Sequence, residues 1–258
     1  MRLAGRQSFL HALVCLSATC LSLWVTWCLC STSLSAQSKP SAVTGQVEIV
    51  RRNAGKEIST QGSAQDASNV VLWLMSLDNA AAAPTTEPSL EQRPQLVQHN
   101  KSFEPHVLVI QVGSMVQFPN KDPFFHNVFS RFDGKRFDLG LYESGSSRDV
   151  HFDRPGVSYI FCNIHPEMSA VVVSVPTPYF AVSSAVGNLI IHDVVPGAYI
   201  MHVWAMGDSD TNLAAIGRRV VVSGSGLDLG TIAVEEPVPS AHKNKFGEDY
   251  EEKRPWSY

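Results

Sequence analysis

The feature that most constrains this chain is a ten-residue stretch that ends in three metal-binding side chains. Residues 159–168 read Tyr-Ile-Phe-Cys-Asn-Ile-His-Pro-Glu-Met, which puts a thiol, an imidazole and a thioether at the spacing Cys162-x2-His165-x2-Met168. The apolar run that leads into Cys162 is typical of a buried strand. Because a loop this short can turn three side chains onto one point only if a rigid sheet holds its ends, the stretch predicts a β fold with a site for a soft metal ion.

The types of these side chains favour copper. Sulfur and imidazole ligands select copper over magnesium, calcium or manganese, and two histidines with one cysteine and a weak axial methionine form the blue-copper arrangement. The loop supplies only His165, so this arrangement needs a second histidine upstream. His126 meets that need, within the sequence Phe-Pro-Asn-Lys-Asp-Pro-Phe-Phe-His-Asn-Val-Phe-Ser of residues 118–130.

These two stretches resemble the ligand motifs of the cupredoxins. The first reads as their upstream motif, a strand that ends in an Asn, a short loop and then His-Asn-Val, and the second has the short spacing of amicyanin-like members. The resemblance covers about residues 96–176. It implies a Greek-key sandwich that holds one type 1 copper per chain, with His126, Cys162, His165 and Met168 as ligands. A carboxylate axial ligand is the alternative at the neighbouring Glu167.

The resemblance also implies roles for the neighbours of the ligands. His165 would be the exposed ligand through which electrons pass, and the side chain of Asn127 would tie the two ligand loops together. An apolar rim for docking a redox partner would come from Phe124, Phe125 and Pro166, although the two phenylalanines could equally point into the core. Amicyanin-like loops often have Pro before the loop histidine, whereas Ile164 keeps an N–H that can bond to the thiolate.

A second resemblance begins after the copper motifs. The segment from residue 177 to 204 resembles carboxypeptidase regulatory-like (transthyretin-like) sandwich domains, with a Val-Val-Pro-Gly turn at 194–197. Those domains begin with two strands that this segment lacks, and residues 41–79 have their character. We therefore expect a copper domain at 96–176, preceded by a linker at 80–95 and inserted into a discontinuous sandwich of 41–79 and 177–234. Alternatively, the N-terminal strands belong to the cupredoxin sheet.

The chain as a whole has an all-β pattern. Short apolar segments recur with glycine-containing turns between them, and no helical period is visible, which indicates antiparallel sandwiches. The expected architecture is a cupredoxin Greek-key sandwich plus a second small β-sandwich. Residues 235–258 are rich in charge, Pro and Gly, and we expect a disordered tail there.

The N-terminus predicts export. Arg2 and Arg6 precede an uncharged apolar run and a small-residue site that ends at Ala36, so residues 1–36 read as a signal peptide or, alternatively, an uncleaved anchor. Four of the five cysteines lie in this leader, which leaves Cys162 alone in the exported chain. A lone thiol in an oxidising compartment needs an occupant, and metal ligation supplies one. The net charge of −4 and the lack of a basic stripe exclude a nucleic-acid binder.

These observations favour an electron carrier over an enzyme. A site whose positions are all filled by protein offers no open place for a substrate, which metal catalysis requires. We expect a periplasmic or secreted one-electron carrier with a redox protein as partner. The resemblance to methylamine-utilisation-like proteins implies a dehydrogenase, and a cytochrome is the alternative, because no residue of the sequence identifies the partner. The alternative is a copper-binding, copper-delivery or envelope-interaction protein in which the second sandwich mediates binding.

Overall fold

The computed structural model describes residues 41–53, 56–58, 66–78, 93–131, 134–207, 210–236 and 243–249. Over these residues the chain is nearly all β, with seventeen strands and one short helix, so the all-β prediction is confirmed. The predicted leader, residues 1–36, lies outside the described residues, as does the linker up to residue 92. The described residues contain no helix with the length and apolar character that a membrane span requires.

A five-stranded sheet contains the metal-ligand motifs. Its strands, in sheet order, are β6 (Val107–Gln111), β12 (Ser169–Val175), β11 (Gly156–Cys162), β8 (His126–Ser130) and β9 (Phe137–Tyr142). The β6–β12 pair is parallel and the other pairs are antiparallel. The sheet shares an apolar core with β7 (Met115–Pro119), which pairs with β10 (Ser147–His151). A short hairpin of β4 (Val97–His99) and β5 (Ser102–Glu104) contributes Phe103 to this core.

Two further sheets enclose a second core. One has β1 (Ser41–Asn53) between β14 (Asn188–Val194) and β17 (Leu227–Glu235), with β2 (Lys56–Ile58) paired to β1. The other has the order β13 (Phe180–Val182), β3 (Val71–Ser76), β15 (Gly197–Trp204) and β16 (Arg218–Val222). Strands from near the start of the described chain therefore pair with strands from near its end.

The strand β12 belongs to both cores. Successive side chains of a strand point to opposite faces of its sheet. Accordingly, Ala170 and Val172 pack in the core with β7, while Val171 and Val173 pack in the core formed by β1, β3, β14 and β15. Burial on both faces explains why the sequence shows a continuous apolar run here instead of the alternation of a half-exposed strand.

The sequence did not predict the helix α1 (Asp210–Ile216), which lies between β15 and β16. Seven residues make only about two helical turns, too few to reveal a helical period. Within the helix, Leu213 is buried against the second core.

We expect Gly187→Ala to destabilise the fold. Gly187 has a φ of 83°, and a Cβ there would clash with the carbonyl oxygen of Val47, whose amide donates to the carbonyl of Gly187 at 2.8 Å. The free energy of unfolding should fall by roughly 2 to 5 kcal/mol in chemical denaturation, because left-handed backbone and overpacking both cost energy.

The control for this substitution is Gly113→Ala. Gly113 has a φ of 93° but no atom within 4 Å of the added Cβ. It should cost only the backbone term of about 1 to 2 kcal/mol. Equal losses in the two variants would contradict a steric conflict with Val47.

Candidate metal centre

Two paired strands bring the upstream histidine and the cysteine together. His126 is the first residue of β8 and Cys162 is the last of β11, and these strands are antiparallel neighbours in which Cys162 stands opposite Val128. The start of β8 therefore lies beside the end of β11, at the same end of the sheet. Both side chains are completely buried.

Three potential ligand atoms converge at this end of the sheet. The sulfur of Cys162 lies 3.6 Å from Nδ1 of His126 and 3.6 Å from Nδ1 of His165, and the two Nδ1 atoms are 3.1 Å apart. Within the described ranges, these residues form the only group of three or more His, Cys, Asp or Glu side chains that could hold a metal ion. The other described histidines, which we did not predict as ligands, are not part of it.

The ring of His126 is oriented by a carboxylate. Its Nε2 lies 2.9 Å from Oδ2 of Asp122, and both side chains are buried. When the Nε2–H group donates this hydrogen bond to the carboxylate, the neutral ring keeps a lone pair on Nδ1, the nitrogen that faces Cys162 and His165. A carboxylate that fixes the tautomer of a histidine in this way is a recurrent feature of metal sites.

Asp122 is itself held as a carboxylate. Burial alone would raise the pKa of Asp122, but hydrogen bonds to its oxygens from the amides of Lys101 and Asn100, together with the bond to His126, lower the pKa below its usual value. The two amide bonds measure 3.0 and 2.7 Å. The sequence reasoning missed Asp122, although its position four residues before His126 in a Pro-containing loop was visible.

Burial raises the pKa of the Cys162 thiol, and hydrogen bonds from the backbone of Asn127, Ile164 and His165 offset part of that rise. The thiol is therefore protonated at neutral pH when nothing is bound, and a metal ion that binds the sulfur displaces this proton. The amides then provide hydrogen-bond donors for the thiolate. The backbone of Ile164 is among the groups that lower the pKa of the thiol, which is the direction expected if its N–H donates to the sulfur.

The loop from Cys162 to Met168 is closed by its own backbone. The amide of Met168 donates to the carbonyl of His165 at 3.0 Å, and the amide of Cys162 donates to the carbonyl of Met168 at 3.2 Å. Met168 is fully buried in the same apolar cluster as Cys162, whereas Glu167 is exposed. This placement favours Met168 over Glu167 as the axial ligand, a role that stays a prediction.

The side chain of Asn127 does not tie the two ligand loops together, so that prediction is wrong. Its Nδ2 donates to Oδ1 of Asp138 at 2.7 Å and to the carbonyl of Gly140 at 3.0 Å, both on the edge strand β9. The backbone makes the connection instead, because the amide of Asn163 donates to the carbonyl of Asn127 at 3.0 Å.

Apolar side chains surround the less buried histidine. The ring of Phe124 is half-buried and lies 5.3 Å from the ring of His126 and 5.4 Å from that of His165, measured between centroids. Phe125 is 51% exposed. The residues on either side of His165, Ile164 and Pro166, are also exposed. The predicted position on an exposed rim is therefore correct for Phe125, whereas Phe124 packs against the rings of His126 and His165.

The donor set fits a copper ion. Metal bonds of about 2.0 Å to nitrogen and about 2.3 Å to sulfur span the observed separations of 3.1 to 3.6 Å with one ion between the three atoms. One thiol and two imidazoles without a carboxylate among them are soft and borderline ligands, which suit copper rather than magnesium or calcium. His126, Cys162 and His165 would hold the ion.

Comparison with known proteins gives partial matches. No family model matches the chain, and no curated protein does. Among solved structures, the chain is similar to a Cu-containing nitrite reductase from Thermus scotoductus, with 26% identity over 32% of this chain and 22% of that one and a TM-score of 0.31. It is similar to a purple cupredoxin from Nitrosopumilus maritimus, with 24% identity over 32% and 99% of the two chains and a TM-score of 0.29. An amicyanin variant in the Cu(I) state has 19% identity over 40% and 98%, with a TM-score of 0.31.

We expect Asp122→Asn to weaken metal binding while the chain stays folded. The amide keeps the shape of the carboxylate but removes the charge that orients His126, and losses of this kind typically lower metal affinity about 10- to 100-fold. Competition titration with a chelator measures the affinity. The control is Asp149→Asn, which removes a carboxylate from an exposed pair with Arg93 and should leave the affinity unchanged. Equal affinities for wild type and Asp122→Asn would contradict the orienting role.

Proposed function

We propose that this protein is an exported one-electron carrier that binds one type 1 copper through His126, Cys162, His165 and Met168. The observation that carries the proposal is the convergence of the Cys162 sulfur with two Nδ1 atoms at 3.1 to 3.6 Å at the end of a sheet. Two of these residues are completely buried, and His126 is 36 residues away from Cys162 along the chain. The fold, and not proximity in sequence, therefore brings His126 to Cys162 and His165.

The protein supplies rigidity and protection from water. A copper ion in this site would take up and release one electron as it changes between Cu(II) and Cu(I). The ring of His126 is bonded to Asp122, and its backbone is part of the sheet. Cys162 is the last residue of β11, which pairs with both β8 and β12. Ligands that are fixed in this way change little between oxidation states, which is the condition for fast electron transfer.

His165 provides the route to the surface. It is half-buried, whereas His126 and Cys162 are completely buried. The side chain of Phe125, which directly precedes His126, and those of Ile164 and Pro166, which flank His165, are exposed. A protein partner that docks on this apolar rim excludes water and approaches the His165 ring. We propose a redox protein such as a dehydrogenase or a cytochrome as that partner.

A carrier fits the ligand set better than an enzyme does. Four protein ligands would fill the coordination positions of the ion, and substrate-binding metal sites keep one position open. The burial of Cys162 and Met168 closes the side of the site that faces the core.

The domain arrangement and the location are also part of the proposal. We propose that residues 96–176 form a copper domain inserted into a regulatory-like sandwich of 41–79 and 177–234. The antiparallel pairing of β1 with β14 and of β3 with β13 and β15 supports this division. Residues 1–36 would direct the chain to the periplasm or the exterior, where the single remaining thiol of Cys162 is occupied by copper.

We expect the purified chain to become intensely coloured with one equivalent of Cu(II). The colour would come from charge transfer between the Cys162 thiolate and the ion, so Cys162→Ser should abolish it while a fold measurement by circular dichroism stays unchanged. Visible and paramagnetic-resonance spectra of the Cu(II) form are the measurements. Wild-type protein that stays colourless with cupric ion would contradict the proposal.

Voltammetry of the same sample separates the two functions considered for this site. A carrier gives a reversible one-electron wave and keeps its copper through repeated cycles. Tight binding of Cu(I) without a reversible wave would favour copper delivery instead.

We expect Ile164→Pro to lower the reduction potential. The substitution removes one amide that bonds to the Cys162 sulfur, and a more electron-rich thiolate stabilises Cu(II). One hydrogen bond of about 1 kcal/mol corresponds to a shift on the order of 50 mV for one electron. Ile164→Ala keeps the N–H and should retain the wild-type potential. An unchanged potential in the Pro variant would rule out this tuning.

A further inference from the structure

A short turn near the C-terminus reaches back to the metal centre. Residues 243–249 form a turn that is organised by Asn244, whose side-chain oxygen accepts from the amides of Phe246 at 2.9 Å and Glu248 at 3.1 Å. The backbone of the turn adds bonds from Asn244 to Glu248 and from Gly247 to Asn244. These residues lie within the segment predicted as a disordered tail, and nothing in the sequence indicated their contacts with the body of the protein.

Lys245 makes those contacts at both of its ends. Its backbone amide donates to Oδ1 of Asn163 at 3.1 Å, and its Nζ donates to Oδ2 of Asp138 at 2.9 Å. Asn163 lies directly after the ligand Cys162 in the loop, and Asp138 lies on the edge strand β9. One residue of the turn therefore connects the ligand loop to the edge of the sheet.

The contacts of Lys245 complete a closed ring of four residues. Asn163 donates through its amide to the carbonyl of Asn127 at 3.0 Å, and Asn127 donates through Nδ2 to Oδ1 of Asp138 at 2.7 Å. Asp138 and Asn163 are both bound by Lys245, which closes the ring. Two of its members are direct neighbours of ligands, because Asn127 follows His126 and Asn163 follows Cys162.

We infer that the C-terminal turn is a clamp on the metal centre, in which Lys245 is a positioning residue that fixes the Cys162–His165 loop relative to the strand of His126. This inference rests on the proposed copper site. The clamp would restrict the loop in both oxidation states and slow the escape of the ion past His165, the least buried of the three clustered ligands.

The clamp acts by fixing the position of the loop, and the attraction between the charges of Lys245 and Asp138 contributes little. The side chains of Lys245 and Asp138 are 25% and 43% exposed, and ion pairs this accessible contribute little to overall stability. The backbone bond to Asn163 acts on a loop that bears two ligands, where small displacements matter. Removing a hydrogen bond to a ligand side chain commonly changes metal affinity about 10- to 100-fold, and the bond of Lys245 is made one residue after the ligand Cys162.

Three variants test the clamp. A chain that ends at residue 242 removes the whole turn, Lys245→Met removes the bond to Asp138, and Lys245→Arg retains a donor and should restore the behaviour of the wild type. The matched control is Lys243→Met, which makes the same change at an exposed position of the same segment. Thermal unfolding of the metal-free proteins verifies that each variant is folded.

The first measurement uses the copper-loaded proteins. We expect the rate of copper loss to a chelator to rise about tenfold or more in the truncated chain and to a smaller extent in Lys245→Met, with a shifted absorption band in both. Lys243→Met should match the wild type. Wild-type rates and spectra in the truncated chain would overturn the clamp while leaving the copper site intact.

The second measurement needs no copper. Hydrogen exchange of the Asn163 amide in the metal-free chain should be faster in the truncated variant and in Lys245→Met than in Lys243→Met, because the loop is less restricted. If the wild type binds no copper, the proposed function fails, and this exchange rate still decides whether the turn holds the loop. Unchanged exchange in the truncated chain would refute the clamp by itself.

Discussion

The pairing of β8 with β11 is the constraint on which the metal centre depends. The register that sets Cys162 opposite Val128 and Phe161 opposite Phe129 places the start of one strand beside the end of the other. Because side chains alternate along a strand, a slip of one residue would turn His126 or Cys162 to the opposite face of the sheet. The register is protected by the complete burial of β8 and of the last three residues of β11. The same packing that stabilises the sheet therefore also positions the ligands.

Around this pair, hydrogen bonds fix what the sheet alone leaves free. A strand determines where a side chain starts, but an imidazole can still rotate about its own bonds. Asp122 removes that freedom for His126, and the amides around Cys162 direct donors to its sulfur. Lys245 restrains the loop in which His165 lies through its bond to Asn163. A buried carboxylate thus holds His126, and a turn from a distant part of the chain bonds to the residue that follows Cys162.

The shared strand β12 links the sheet of the candidate metal centre to the second core. Its side chains alternate between the two cores, so a change in the packing of either core displaces β12. This strand pairs directly with β11, where Cys162 is located. A half-exposed strand could shift toward solvent, but one that is buried on both faces cannot move without disturbing two interiors. This arrangement gives the candidate metal centre a rigid support.

The sequence alone determined the all-β class and the residues that meet at the centre. Strand periodicity and the ligand spacing are local properties, so His126, Cys162 and His165 could be chosen before any fold was known. Only the tertiary structure revealed Asp122 as the partner of His126, the bonds of Asn127 to β9 and the approach of Lys245 to Asn163. Aspartate, asparagine and lysine are common in loops, and nothing local distinguishes those that bond to a distant residue from those that face water. Their roles are set by which strands become neighbours, and that is decided by packing over the whole chain.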